Sequence, residues 1–448
     1  MGFDGADPLA RVEKALEERF PSRMVPDLDR IVDLLNLLGD PQRAFPSIHI
    51  TGTNGKTSTA RMIDALLHEL SLRTGRYTSP HLESVTERIT VDGAPLDAER
   101  FAELYDEVAP FAELVDGRHE DKVTFFELLT AMAFAAFADA PVDAAVIEVG
   151  LGGRWDATNV LNAQTAVLMP ISLDHVGILG ATIEEIAGEK AGLIHAGATV
   201  ISAVQPEAAA RVLRDRADEV GASILHEGLD FGVRNRAVAV GGQVVELQGL
   251  AEVYDEVFLP LYGEHQARNA ACALAAVDSF LGSANREPLD ADVVRAAFAG
   301  VSSPGRLEVV RRSPTVLIDG AHNPAGAAAL VAGIEDAFTF DRLVAVVAIL
   351  DDKDATSILE ELEPVVATVV ATTNTSPRAM PATELAEIAR EVFGAERVEV
   401  RDRLDDAIDL AVADAEADAA LGGAGVIVTG SIVTAGEARH LLRGVSPR

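Results

Sequence analysis

From Ser47 to Thr429 the chain repeats one pattern: a short run rich in Ile and Val, a turn containing Gly or Asp, then a longer stretch of helical period. The apolar runs include Ser47–Thr51, Ala144–Val149, Thr165–Ile171, Ala198–Ser202, Thr315–Ile318, Leu343–Ile349 and Val426–Thr429. Between them lie amphipathic stretches such as Thr57–Leu70, Ala98–Leu114, Thr182–Ile194, Ala267–Leu281 and Ala325–Phe338. A strand that is apolar along its whole length has no face to show water. Helices between successive strands can cover both faces when the strands run parallel. The fold class is therefore α/β, built on parallel sheets. Ligands of such sheets bind beyond the carboxyl ends of the strands, and the polar motifs of this chain fall there.

One segment breaks the pattern. Phe231–Leu261 carries short alternating runs (Ala237–Val240, Val244–Leu247, Glu256–Leu259) with a Gly-Gly turn at Gly241-Gly242, and reads as a small antiparallel β insert. A second break, Val301-Ser302-Ser303-Pro304-Gly305, separates a helical stretch (Asp290–Ala299) from a new strand. At 448 residues the chain is long enough for two or three domains. The break divides the chain into a larger unit over 1–300, a linker over 301–305 and a smaller unit over 306–448.

The formal net charge of −34 excludes general binding to nucleic acid or to an anionic membrane surface. A phosphate site in this chain must be built locally, from backbone N–H groups and a few placed cations. Lysines are scarce: Lys14, Lys56, Lys122, Lys190 and Lys353 are all there are. Two of them, Lys56 and Lys190, sit in motifs. The single cysteine, Cys272, rules out an intramolecular disulfide and a Cys-ligated zinc site. The acidic start Met1–Asp7 lacks the features of a signal peptide, and Phe125–Ala138, the longest apolar stretch, is too short for a bilayer of ~30 Å. A cytoplasmic location is expected.

Ser47–Ser58 reads strand, Gly-rich turn, helix, with the spacing Gly52-x-x-Gly55-Lys56-Thr57. Such a turn offers backbone N–H groups and a helix N-terminus to phosphate, the lysine reaches terminal phosphates, and the following hydroxyl faces Mg²⁺. Gly52, Thr53, Asn54, Gly55, Lys56 and Thr57 are the candidate ATP contacts. Glu148 ends a buried strand in Glu148-Val149-Gly150-Leu151-Gly152-Gly153, where a nucleotide-binding sheet holds its metal. His175 follows Asp174 at another strand end, and Lys190 lies in Gly188-Glu189-Lys190-Ala191-Gly192. Taken singly, such a histidine is often structural and such a lysine a solvated charge. Tyr77-Thr78-Ser79-Pro80-His81 alone is a turn. In the last third, Arg306 suits a phosphoryl oxygen. Asp319 and His322 follow a strand, and Thr429-Gly430-Ser431 reads as a helix cap.

Together these segments resemble the folylpolyglutamate synthase and dihydrofolate synthase family, within the Mur ligase superfamily. The likeness runs from Val25 to Ala438 through Gly52–Thr57, Thr78–Leu82, Glu148–Asn159, Ser172–His175, Glu189–Lys190, His265–Asn269, Pro304–Arg306 and Asp319–Pro324. One departure is Thr57, where many folate members carry Gly after the lysine. Length favours the folate branch, since only about fifty residues precede Gly52 and Mur ligases carry a whole domain there.

The resemblance implies a P-loop ATP-binding domain over 1–300 and a smaller Rossmann-like C-terminal domain over 306–448. It further implies that a substrate carboxylate attacks the γ-phosphate of ATP and that the amine of L-glutamate then displaces phosphate from the acyl phosphate. It implies metal ligation by Ser79, Glu148, His175 and a carbamylated Lys190, with two Mg²⁺ ions and a monovalent cation as a further candidate. It also places Asn269, Arg306, Asp319 and His322 at the ATP, with Lys56, Lys190, His175 and Arg306 catalytic. Thr124, Phe125, Phe126, Glu127, Trp155, Asp156 and Ala157 match segments that line a pterin site, with Phe126 stacking on the ring and Asp156 at its polar edge. The expected protein is a monomeric bifunctional enzyme using dihydropteroate and tetrahydrofolate. Three alternatives stand beside it: folylpolyglutamate synthesis alone, a Mur-type ligase acting on another acid, and a non-catalytic nucleotide-binding regulator.

Overall fold

The computed structural model describes residues 7–21, 25–282, 288–418 and 423–443. Its largest sheet has eight strands in the order Ala94–Pro95, Ile89–Val91, Thr74–Tyr77, Ala144–Glu148, Ser47–Thr51, Thr165–Leu168, Thr199–Ser202, Ser223–His226. From Thr74–Tyr77 to Ser223–His226 every pairing is parallel. The other edge departs from the expected all-parallel sheet: Ile89–Val91 runs antiparallel to both its neighbours. The cause is local. No covering helix separates Thr74–Tyr77 from Ile89–Val91, and the next turn, Asp92-Gly93, has positive φ at both residues (53° and 77°), which closes a tight hairpin.

Side chains alternate across this sheet as the apolar strands require. Ile48, Ile50, Val146 and Val167 pack under the helices Lys56–Glu69 and Glu264–Gly282. Tyr77, Ala145 and Ile147 pack on the opposite face against Phe125–Asp139, a helix with buried residues on every side because other helices enclose it. Each fully buried Ile, Leu or Val contributes about 1.5–3 kcal/mol of transfer free energy. The antiparallel insert consists of Gly232–Ala239, Gly242–Gln248 and Val253–Leu259.

A second sheet orders Glu308–Arg312, Thr315–Ile318, Ala424–Thr429, Arg342–Val347, Thr368–Ala371 and Val398–Val400. All its pairings are parallel except that of the edge strand Glu308–Arg312. Helices on both faces bury two clusters, one around Leu317, Ala345 and Ile427, the other around Ile318, Val346 and Val428. Ser431 caps the last helix, its Oγ accepting the Thr434 N–H at 3.0 Å. No described helix is long and apolar enough to cross a membrane.

Candidate functional site

The strand Ser47–Thr51 lies between Ala144–Glu148 and Thr165–Leu168, so the carboxyl ends of three adjacent parallel strands meet at Gly52. Glycine is required there. A Cβ on Gly52, which has φ of +148°, would stand 2.5 Å from Met169 Cβ. Gly55, at φ +87°, caps the helix Lys56–Glu69, and a Cβ on it would stand 2.7 Å from Asn269 Oδ1. The turn is pinned by the Thr53 N–H to Pro170 O (2.9 Å) and by the Thr53 hydroxyl to Ser172 O (3.1 Å). Its amides and the helix N-terminus face an open cleft of about 180 Å³. Lys56 folds back over the turn, donating to Gly52 O and Thr53 O, both at 3.1 Å, and burial lowers its pKa.

Next to the turn, Glu148 collects hydroxyl and amide donors. Thr57 Oγ1 donates to its two oxygens at 2.8 and 3.0 Å, and the Ser79 N–H reaches Oε2 at 3.2 Å. Burial raises the Glu148 pKa, while Lys56 and Thr57 oppose the rise. Lys190 approaches from below and donates to Gly52 O at 2.9 Å. Its approach depends on glycine: a Cβ on Gly153 would lie 3.0 Å from Lys190 Cα, and one on Gly192 would lie 2.5 Å from Arg154 Cα. Burial, with a smaller push from the charge on Lys56, lowers the Lys190 pKa to about 7. His175 is held neutral, at a pKa of about 4, chiefly by burial.

The second sheet brings its carboxyl edge to the same cleft. Arg306 enters past Gly320, where a Cβ would stand 2.3 Å from Nη1. Asp319 is buried and accepts the Leu307 and Ala321 N–H groups, each at 2.7 Å, so it shapes the loops that carry Arg306 and His322. His322 Nδ1 pairs with Gly320 O at 2.8 Å, and burial lowers its pKa to about 4.

Comparison with known proteins accounts for this two-sheet cleft. Residues 50–277 match the Mur ligase middle domain and residues 305–432 match the Mur ligase, glutamate ligase domain. A Mycobacterium tuberculosis protein named dihydrofolate synthase/folylpolyglutamate synthase is 52% identical, with 97% of this chain and 93% of that protein covered. The chain belongs to the folylpolyglutamate synthase/dihydrofolate synthase family. The Escherichia coli protein of the same name is 33% identical over 85% of this chain and 86% of its own length. Among solved structures, M. tuberculosis folylpolyglutamate synthase complexed with ADP and AMPPCP superposes with a TM-score of 0.93 at 50% identity, covering 98% of this chain and 99% of that one. E. coli FolC in complex with DHPP and ADP gives 0.85 at 30% identity, with 99% of each chain covered.

Gly52–Thr57, Ser79, Glu148, His175, Lys190, Asn269, Arg306, Asp319 and His322, expected at the centre of this family member, all line the cleft. The second expected group does not. Thr124 and Glu127 form a capping box for the helix Phe125–Asp139, and Glu127 also pairs with buried Arg30 at 3.0 Å. Phe125 stacks on Phe20 with ring centroids 4.4 Å apart, while Phe126 fills the space left by the missing Cβ of Gly150. Asp156 accepts the Leu151 N–H at 2.9 Å and the Thr158 N–H and hydroxyl at 3.0 and 2.5 Å, so its own chain already engages it. Ala157 is buried and Trp155 stands half exposed. Three residues at the junction of the domains, Asp174, Asn323 and Lys353, had no role in the sequence reading, although Asp174 and Asn323 stand inside its motifs. Lys353 had one available signal, its rarity in a chain that otherwise uses arginine.

Proposed function

We propose that the protein uses ATP to join L-glutamate to the carboxylate of a pterin or folate, converting dihydropteroate to dihydrofolate and extending the glutamate chain of tetrahydrofolate. The observation that carries this reading is the meeting of Lys56, Glu148, Lys190 and Arg306 in one cleft fed by two parallel sheets. Phosphates would lie on the amides of Gly52–Thr57, and Lys56 would leave the carbonyls it now touches to meet them. Arg306, reaching in from the second sheet, would neutralise charge that develops as the carboxylate takes the γ-phosphoryl group. Holding carboxylate, ATP and amine in one enclosed cleft would keep water from the acyl phosphate until glutamate displaces phosphate.

The donor set suits Mg²⁺. Glu148 and the Thr57 hydroxyl offer hard oxygen atoms side by side, and Ser79, whose N–H reaches Glu148, lines the same cleft. Among the described residues no three His, Cys, Asp or Glu side chains gather as a complete metal site. When bound, Mg²⁺ would supply Lewis-acid neutralisation of the phosphates. Glu148, Ser79, neutral His175 and Lys190 are the residues that would hold it. At a pKa of about 7, Lys190 has a large neutral fraction near neutral pH. Its amine can then add CO₂, forming an N–C bond and releasing one proton, to end in a carboxylate-like group.

The deciding experiment is phosphate release with ATP, Mg²⁺ and L-glutamate, run in parallel with dihydropteroate and with tetrahydrofolate. Turnover with both is expected. Turnover with tetrahydrofolate alone would remove the pterin role of Thr124–Glu127 and Asp156, and silence with both would turn the search to other acids.

A further inference from the structure

Several side chains bridge the two domains, among them Arg236 to Asp336 and Glu83 to Arg439, and at the cleft itself one first-domain side chain, Asp174, meets three partners from the second. Asp174 Oδ1 meets Lys353 Nζ at 2.5 Å, and both side chains are buried, at 8% and 6% exposure. Asp174 Oδ2 accepts from Asn323 Nδ2 at 3.0 Å and has His322 Nε2 at 3.7 Å. All three partners belong to the second domain. Within the first domain Asp174 holds only the turn that follows it: its Oδ1 accepts the N–H of His175 at 2.8 Å. That turn is unusual, because His175 sits at φ +51° and ψ +38°, a left-handed conformation that a residue with a Cβ keeps only where its surroundings fix it. Lys353 Nζ also stands 3.5 Å from His175 Nε2. The same Asn323 exchanges amide hydrogen bonds with Asn54 of the phosphate turn, at 3.0 and 3.1 Å.

We propose that Lys353 is a positioning residue of the ligase centre: from the second domain it clamps Asp174 and, through it, fixes the turn that aims His175 into the cleft. This rests on the ligase reading above for its consequence in turnover, but the clamp itself does not. A buried carboxylate that loses its cation carries an uncompensated charge, which is strongly unfavourable. Parting the domains relieves it by letting water reach Asp174. Arg236 with Asp336 and Arg439 with Glu83 also join the domains, but among these ion pairs only Lys353 with Asp174 ties closure to the turn that carries His175. Asn323 extends the same junction to the phosphate turn, so closing the second domain onto the first orders both halves of the centre together.

The test compares Lys353→Met, Lys353→Arg, Asp174→Asn and the Lys353→Met/Asp174→Asn pair, using small-angle X-ray scattering of the unliganded chain and steady-state kinetics. Lys353→Met and Asp174→Asn should each increase the radius of gyration. Each should lower kcat about 100-fold, the order expected when a reacting group is displaced by about an ångström. The KM for ATP should rise far less than kcat falls, since Gly52–Thr57 and Lys56 all stay on the first domain. The double variant should be no worse than the worse single one, and Lys353→Arg should recover part of the compaction and of kcat. Wild-type scattering from both single variants would overturn the proposal, whether or not a substrate had been found. So would losses that multiply in the double variant with the Lys353→Met defect confined to the KM for L-glutamate, because Lys353 would then bind substrate instead of Asp174.

Discussion

The phosphate turn and the aromatic segment around Thr124–Glu127 look alike as sequence, each a polar cluster at the start of a helix, but the chain uses them differently. In the turn, Gly52 and Gly55 remove side chains that would fill the space, and the amides and the Lys56 ammonium are left beside an open cleft. At Thr124–Glu127 the same kinds of donors and acceptors close on each other and on Arg30. Asp156, the other acidic group expected there, is engaged by Thr158 and by the backbone at Leu151. A polar residue can serve a ligand when the fold sets it beside open space, and that property depends on neighbours far away in sequence.

Lys190→Ala should test the open side of this contrast most severely. Removing the amine takes away the proposed carbamate, and turnover should fall about a thousandfold, the scale of losing one preorganised electrostatic contact at a reacting centre. ATP affinity, measured by binding of a non-hydrolysable analogue, should stay within a few-fold. A short carboxylic acid should restore part of the rate by filling the gap. Wild-type turnover in Lys190→Ala would refute the carbamate role.

Asp156→Ala tests the closed side, with a smaller effect. The variant leaves the Leu151 and Thr158 N–H groups without their acceptor, which should cost about 2 kcal/mol and lower Tm. If the carboxylate also serves a pterin ring, use of dihydropteroate should fall well below that of tetrahydrofolate. Equal losses on the two substrates would reduce Asp156 to a support for the Gly150–Gly153 loop, and the contrast between the two regions would become absolute.

Much of the frame was legible because it follows from short-range rules. The apolar runs Ser47–Thr51 and Thr315–Ile318 form strands with the bounds that their patterning indicates, and the insert appears as three antiparallel strands. The strands with mixed composition were not legible. Thr74–Tyr77 is fully buried yet reads Thr-Gly-Arg-Tyr, and Arg76 is tolerated there because Asp64, on the helix Lys56–Glu69, pairs with it and the Thr90 hydroxyl accepts from it. The helices Pro8–Glu17, Asp29–Leu37 and Glu207–Val220 are amphipathic but fall outside the strongest strand–helix repeats. At the site, motifs and resemblance placed the residues that line the cleft. They could not place Asp174 with Lys353, because that pair joins residues 179 positions apart and neither carries a local signal of the other.

The smallest effect bears on whether burial alone identifies functional carboxylates. Asp278, on the helix Glu264–Gly282, is pushed up to about 6 by burial, opposed only by the Leu250 N–H it accepts at 2.8 Å. It packs against the β insert, beside Gly249 and away from the residues that line the cleft. Its unfolded pKa is ~3.9, so the folded chain binds more protons between about pH 4 and pH 6, and stability is lost as pH rises through that window. Partial exposure trims the effect to about 1 kcal/mol. Asp278→Asn keeps an acceptor for Leu250 and removes the charge. It should unfold about 2 °C above wild type at pH 7.5 and lose that advantage by pH 4, with kcat unchanged. A constant difference across that range would show that Asp278 does not titrate in the window. A fall in kcat would show that a carboxylate shifted by burial alone had been wrongly set apart from the centre, where burial acts on Glu148 together with Lys56 and Thr57.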